Sequence, residues 1–156
     1  MDVGCYCVNL GRTLFGAEPD EVQAFATWSA GGVDEQIVAS MCFAENRYVQ
    51  FDCALTLARR ETYQVVGTDG AIAVPVAFLP GMSNAQIHIR DAQGARVETI
   101  AGVDEYQLMV EHFADCVRGR ATPRYPAAEA TANMRTIAAL YRSARNDGRP
   151  EPVVDA

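Results

Sequence analysis

Between Val22 and Ile100 the chain carries seven short runs with apolar residues at alternate positions, parted by turn residues. A side-chain period of two belongs to β-strands. The connections are too short for parallel crossovers, which need a dozen residues or more, so the strands must pair antiparallel. The runs are Val22–Ser29, Gln36–Ala44, Tyr48–Leu57, Thr62–Val66, Ala71–Val76, Gln86–Asp91 and Arg96–Ile100. Glu45-Asn46-Arg47 joins the second to the third as a hairpin, and Asp69-Gly70 gives the next pair a tight-turn signal. Ala92-Gln93-Gly94 closes the last hairpin, and Pro75 places the end of its strand at an edge or an exit. In the third run Val49, Phe51, Cys53, Leu55 and Leu57 alternate with Tyr48, Gln50, Asp52, Ala54 and Thr56, the pattern of a strand buried on one face.

On either side of this block the period is 3.6. Met1–Gly16 reads as a helix with an apolar stripe of Val3, Cys7, Leu10 and Leu14, stopped by Gly16. Asp104–Arg118 follows, with acids at its start and Leu108, Met109, His112, Phe113, Cys116 and Val117 along its inner face. Ala128–Arg145 is the last helix, with Ala130, Met134, Ile137, Ala138 and Tyr141 inward, and Pro150 and Pro152 begin an extended tail. A helix, seven strands and two helices in that order give an α+β fold: a mostly antiparallel sheet with helices packed on one face. At 156 residues the chain is expected to be a single domain, residues 1–156.

Composition removes several functions. A formal net charge of −7 argues against a nucleic-acid or anionic-membrane surface, and no apolar run reaches a membrane span. All basic side chains are arginine, so no lysine is available for Schiff-base, acid/base or phosphate chemistry. Five cysteines with no secretory leader read as reduced thiols in the cytoplasm. Cys5 and Cys7 diverge on a helix, and neither they nor His88 and His112 have zinc-ligand spacing, so no metal is expected. The histidines read as half-buried core or interface residues. No glycine-rich nucleotide loop and no nucleophile elbow is present.

One constellation stays open. Asp2 and Tyr6 are four apart, so on a continuous helix they share a face that Asn9 and Thr13 extend as a polar strip. A carboxylate one turn from a phenol can hold or move a proton. The same pair can also be ordinary capping with a core tyrosine beside it. The helix begins at residue 1 with no scaffold before it, which suggests a fragment.

The opening MDVGCYCVNLGRTLFG resembles the start of the C-terminal domain of the Gfo/Idh/MocA oxidoreductases, whose motif Asp-x-Gly-x-Tyr or Asp-x-Gly-x-His stands here as Asp2-Val3-Gly4-Cys5-Tyr6. FDCALTLARRETYQVVGTDGAIAV (51–74), YQLMVEHFADCVRG (106–119) and EATANMRTIAALYRSAR (129–145) continue the likeness in the same order. The tyrosine variant is similar to the sugar and dihydrodiol dehydrogenase branches, glucose–fructose oxidoreductase among them.

The resemblance implies half of a two-domain oxidoreductase acting on a sugar, polyol or related hydroxy compound. NAD or NADP would be bound in the full-length enzyme by an N-terminal Rossmann domain absent here or separately encoded, and no cofactor is expected to bind this chain alone. The family's Glu-Lys-Pro lysine would lie in that other half. Tyr6 would be the acid/base and Asp2 its orienting partner, because a free tyrosine, with a pKa of about 10, needs help to act as a base at neutral pH. Asn9 and Arg12 are candidates for the substrate side or for structure. The open face of the sheet would join copies into a homodimer or larger oligomer. The alternative is a stand-alone dimeric binding or interaction module derived from the same domain.

Overall fold

The computed structural model describes residues 1–154. The element order follows the change of period: α1 Gly4–Phe15, β1 Glu21–Trp28, β2 Asp34–Phe43, β3 Arg47–Ala54, β4 Tyr63–Val66, β5 Gly70–Val74, β6 Ala85–Asp91, β7 Gly94–Ile100, α2 Glu105–Val117, α3 Ala127–Arg145 and β8 Glu151–Pro152. The strands form two four-stranded sheets, ordered β3-β2-β1-β8 and β4-β5-β6-β7, where one sheet was expected. The described residues fall into two compact units: Met1–Leu57 with Tyr125 onward, and Ala58–Arg124.

In the first unit the antiparallel register stacks inward residues in rows. Val22, Met41 and Val49 form one row; Ala24, Ala39 and Phe51 the next; Ala26, Ile37 and Cys53 the third. With Val8 of α1 and Ile137, Ala139 and Leu140 of α3, these strands build the hydrophobic core. Both helices therefore cover the same face. Gln23, Phe25, Val38, Ser40, Gln50 and Asp52 lie on the other face and line an open depression.

The third strand stops earlier than its alternation suggests. Gln36–Ala54 is the last registered pair, Leu55 N–H donates once more to Glu35 O, and Leu55 and Leu57 are more than half exposed. Without a partner strand their apolar alternation has nothing to pack on. In the extended tail, β8 pairs with β1 at Glu21 and Val22. Beyond it the edge of β1 is served by side chain: the buried Ala24 N–H donates to Ser143 Oγ of α3 at 2.9 Å.

The buried faces of the two helices also differ from their apolar stripes. In α1 the buried residues are Gly4, Val8, Gly11 and Arg12, whereas Val3 and Leu14 are exposed. A Cβ at Gly11 would come 2.7 Å from Met41 Cε and 3.0 Å from Val49 Cγ2, so the helix sits on the sheet by its glycines. In α3 the buried face is Thr136, Ile137, Ala139, Leu140 and Ser143; Met134 is exposed, as are Ala130 and Ala138. Small residues let α1 approach closely at Gly4 and Gly11, while Val8, Ile137 and Leu140 are the larger apolar residues that reach the core. Gly16 ends α1 in the left-handed conformation, as its position suggested.

The second unit is an antiparallel meander with Val74 as its buried apolar residue. Tyr63, Val65, Ile87 and Ile89 are half-buried and alternate with exposed Gln64, Val66, Gln86 and His88. Asp104 caps α2 by accepting from Gln107 N–H at 2.9 Å, which accounts for the acids at that helix start. None of α2's residues is buried: its expected inner residues Leu108, Met109, Phe113 and Val117 are more than half exposed.

Candidate functional site

The N-terminal end of α1 carries the candidate pair. The helix begins at Gly4, and Asp2 lies in the turn before it. Asp2 and Tyr6 therefore do not stand on one continuous helical ladder, as their spacing had suggested. The capping role fails as well: Val3 occupies the cap position and no side chain caps the helix. What remains is an exposed carboxylate and a phenol 58% exposed on the first helical turn, with Asp2 O accepting from the Cys5 thiol at 2.9 Å. The chemistry available here is acceptance of hydrogen bonds by Asp2 and exchange of a proton by Tyr6 with something in solvent.

Asn9 and Arg12 are brought together elsewhere along the helix. Arg12 is 3% exposed. Its Nε and Nη2 donate to the two oxygens of Glu18 at 2.7 and 2.6 Å, and its Nη1 and Nη2 donate to those of Glu129 at 2.6 and 3.1 Å. Asn133 Oδ1 accepts from Nη1 at 3.3 Å, and Asn9 Nδ2 donates to Glu129 Oε1 at 3.2 Å. This is fork-on-fork pairing of one guanidinium with two carboxylates. The hydrogen bond from Arg12 holds Glu18 below the ordinary carboxylate range, and the bond to Glu18 is the largest cause raising the guanidinium above its own.

A second polar cluster escaped the sequence because its members are far apart along the chain. Asp34, 7% exposed at the start of β2, accepts from Tyr141 Oη of α3 at 2.6 Å and from the Met1 nitrogen at 2.6 Å; the Met1 nitrogen also meets Tyr141 Oη. Burial pushes the Asp34 carboxyl up, but the hydrogen bonds from Met1 and Tyr141 outweigh it and the carboxyl lies below its ordinary value. Burial and then Asp34 hold the Tyr141 phenol above its own. Nothing in the spacing of residues 34 and 141 announces this pair.

The thiols nearby are held above their ordinary range. Burial, then Asp52 and Cys5, push Cys7 up to about 11, and burial, then Cys7 and Asp34, push Cys53 up to about 12. Among the described residues no three of His, Cys, Asp and Glu gather as a metal site needs. His88 is exposed beside Gln86, and His112 Nε2 lies 3.6 Å from Cys116 Sγ on α2. No helix among the described residues is long and apolar enough to cross a membrane.

Asp2-Val3-Gly4-Cys5-Tyr6 thus stands at the head of a helix laid on an antiparallel sheet. The profile of the GFO/IDH/MocA C-terminal domain matches residues 1–73. D-xylose 1-dehydrogenase (NADP(+)) 2 of Haloferax volcanii is 32% identical over 154 residues, 97% of this chain and 47% of that protein. The chain belongs to the GFO/IDH/MocA C-terminal-domain family. The trans-1,2-dihydrobenzene-1,2-diol dehydrogenase of Danio rerio is 32% identical over 76 residues, 48% of this chain and 23% of that one. The aldose-aldose oxidoreductase of Caulobacter crescentus shares the fold with a TM-score of 0.82 at 20% identity, across 96% of this chain and 45% of its own. A 3-ketoreductase of Actinomadura kijaniata, solved with NADP and TDP-benzene, gives 0.83 at 18% identity across 92% and 45%. The chain spans about half the length of the curated relatives it matches along its whole extent.

The Haloferax relative is by name an NADP(+) dehydrogenase, and the 3-ketoreductase was solved with NADP. A Rossmann site needs parallel strands joined through a helix, with phosphate at the helix N-terminus. Every sheet pairing among the described residues is antiparallel. The described residues therefore include no parallel strand pair of the kind a Rossmann site is built on.

Proposed function

We propose that residues 1–156 are the substrate-binding and oligomerisation domain of an NAD(P)-dependent oxidoreductase acting on a sugar, polyol or related hydroxy compound. The observation that carries this reading is the likeness to D-xylose 1-dehydrogenase across 97% of the chain, joined to a head of α1 that presents Asp2 and Tyr6 outward. Tyr6 exchanges a proton with the reacting hydroxyl or carbonyl oxygen of the substrate. Asp2 accepts hydrogen bonds from substrate hydroxyls or from the phenol and fixes their direction. Asn9 and Arg12 hold α1 to α3 through Glu129 and take part in substrate binding only indirectly. The dinucleotide belongs to the remainder of the full-length enzyme, together with the cation that a tyrosine acid/base requires.

Tyr6→Phe in the full-length enzyme tests the assignment. Loss of a general acid/base should lower kcat by about 10²–10⁴-fold while the melting temperature stays put. Unchanged turnover would sink it.

The open face of the first sheet is the contact between copies. Phe25 and Val38, paired neighbours on that face, are about half exposed and make an apolar centre within a polar rim. Light scattering at micromolar concentration should report a dimer or larger assembly, and a monomer would refute this surface.

A further inference from the structure

We propose that Asp34 and Tyr141 are positioning residues: a clamp that holds Met1 and so sets the direction in which the first turn of α1 presents Asp2 and Tyr6. This rests on the reading of Asp2 and Tyr6 as the groups that meet the substrate. The need for a clamp follows from the helix itself. Val3 at the cap position offers no side-chain acceptor to the orphan N–H groups, so α1 lacks the local device that ordinarily fixes a helix start. The segment just before it is held from a distance instead. Asp34 Oδ1 receives both the Met1 nitrogen and Tyr141 Oη, each at 2.6 Å.

Each arm of the clamp is rigid. Tyr141 packs against Trp28 with ring centroids 5.7 Å apart and planes tilted by 42°, and the Arg145 guanidinium lies over both rings at 5.1 and 5.5 Å. Asp34 heads β2, opposite Trp28 in the β1 register. The Met1 side chain is pinned too: a Cβ on Gly4 would lie 2.5 Å from Met1 Cγ and 2.9 Å from Cys53 Sγ, so Gly4 leaves just the room Met1 occupies. Asn133 Nδ2 adds a bond to Cys5 O at 3.3 Å, tying the same turn to α3. Three elements thus converge on the residues that flank Asp2 and Tyr6, while Asp2 is exposed and Tyr6 is 58% exposed.

Tyr141→Phe is the deciding variant, because it keeps the ring and its contacts with Trp28 and Arg145 and removes one oxygen. Amide hydrogen exchange followed by NMR on the 156-residue chain should show Tyr6, Cys7 and Val8 exchanging about tenfold faster, with Ile37, Ala39 and Met41 of β2 changed less than about twofold. Asp34→Asn keeps an acceptor and should retain most of the protection; Asp34→Ala should lose it. If Asp34→Ala does not fold, Tyr141→Phe still decides. Unaltered exchange in the first turn of α1, or an equal loss in β2, would overturn the clamp, since the second result is plain loss of stability. In the full-length enzyme, Tyr141→Phe should lower kcat by about tenfold with KM within about twofold, as expected for a misdirected reacting group. An unchanged kcat per folded molecule would reduce the pair to a structural contact. Full turnover by Tyr6→Phe would remove the catalytic reading of the site and leave the exchange result standing.

Discussion

The two sheets of this chain are built from the same kind of sequence and end in different states. Both are four-stranded, antiparallel and joined mostly by short turns. In the first, Val22, Ala24, Ile37, Ala39 and Met41 are 5% exposed or less, because α1 and α3 cover them. In the second, the alternation is just as clear in β6, yet Ile87 and Ile89 are only half-buried and every residue of β7 is exposed. Period two establishes a strand; a covering layer establishes a core. The electrostatics divide the same way. Arg12 is 3% exposed and grips two carboxylates, whereas Arg96 pairs with Asp91 at 2.6 Å while 45% exposed.

The largest effect that would break this contrast comes from side-chain truncation. Leu140→Ala, in the fully buried face of α3, should cost about 2–5 kcal/mol in urea unfolding, the range for a core leucine. Val97→Ala on β7, 54% exposed, should change stability by less than about 0.5 kcal/mol. Equal costs at the two sites would mean that the second sheet is as well covered as the first.

A smaller effect sharpens the account of the edge of β1. Ser143→Ala removes the acceptor of the buried Ala24 N–H and should cost about 1–3 kcal/mol, the penalty of an orphaned donor. Ser143→Gly, which admits water to the same N–H, should recover part of the hydrogen-bond loss but pay helix propensity. A neutral Ser143→Ala would show that the strand edge is satisfied some other way.

The smallest effect is in pH. Glu18 and Asp34 have folded-state values below their ordinary ones, so each adds stability that is fully present above the ordinary carboxylate range of about 4 and is lost as pH falls through the lower folded value. Thermal melts stepped downward from pH 5 should therefore show the first unit weakening in acid. Arg12→Met should flatten the part of that slope due to Glu18. Added salt should weaken the exposed Asp91–Arg96 pair far more than the buried Arg12 network. A slope untouched by Arg12→Met would remove Glu18 from the account.

Much of the secondary structure was legible because it depends on neighbours. Runs such as Gln86–Asp91 and the links between them are local signals, and β1 to β7 begin and end within three residues of the strands expected. The head of α1 was legible as a motif but not as geometry: the four-residue spacing of Asp2 and Tyr6 presumes a helix already running at Asp2, whereas the helix starts two residues later, at Gly4. The exposed state of α2 was not legible either, since an apolar stripe states what a helix can bury and not what stands opposite it.

By itself the sequence determined the order of the elements, the antiparallel sense of the strands, the left-handed stop at Gly16 and the family motif, all of which rest on residues close together in the chain. Only the tertiary structure decided which faces are buried and which polar groups meet. Gly4 and Gly11 draw α1 onto the sheet because they have no side chain, a property that a hydrophobic stripe does not register. Arg12 finds Glu129 across 117 positions and Tyr141 finds Asp34 across 107, pairings that exist only once the helices lie on the same face of the sheet.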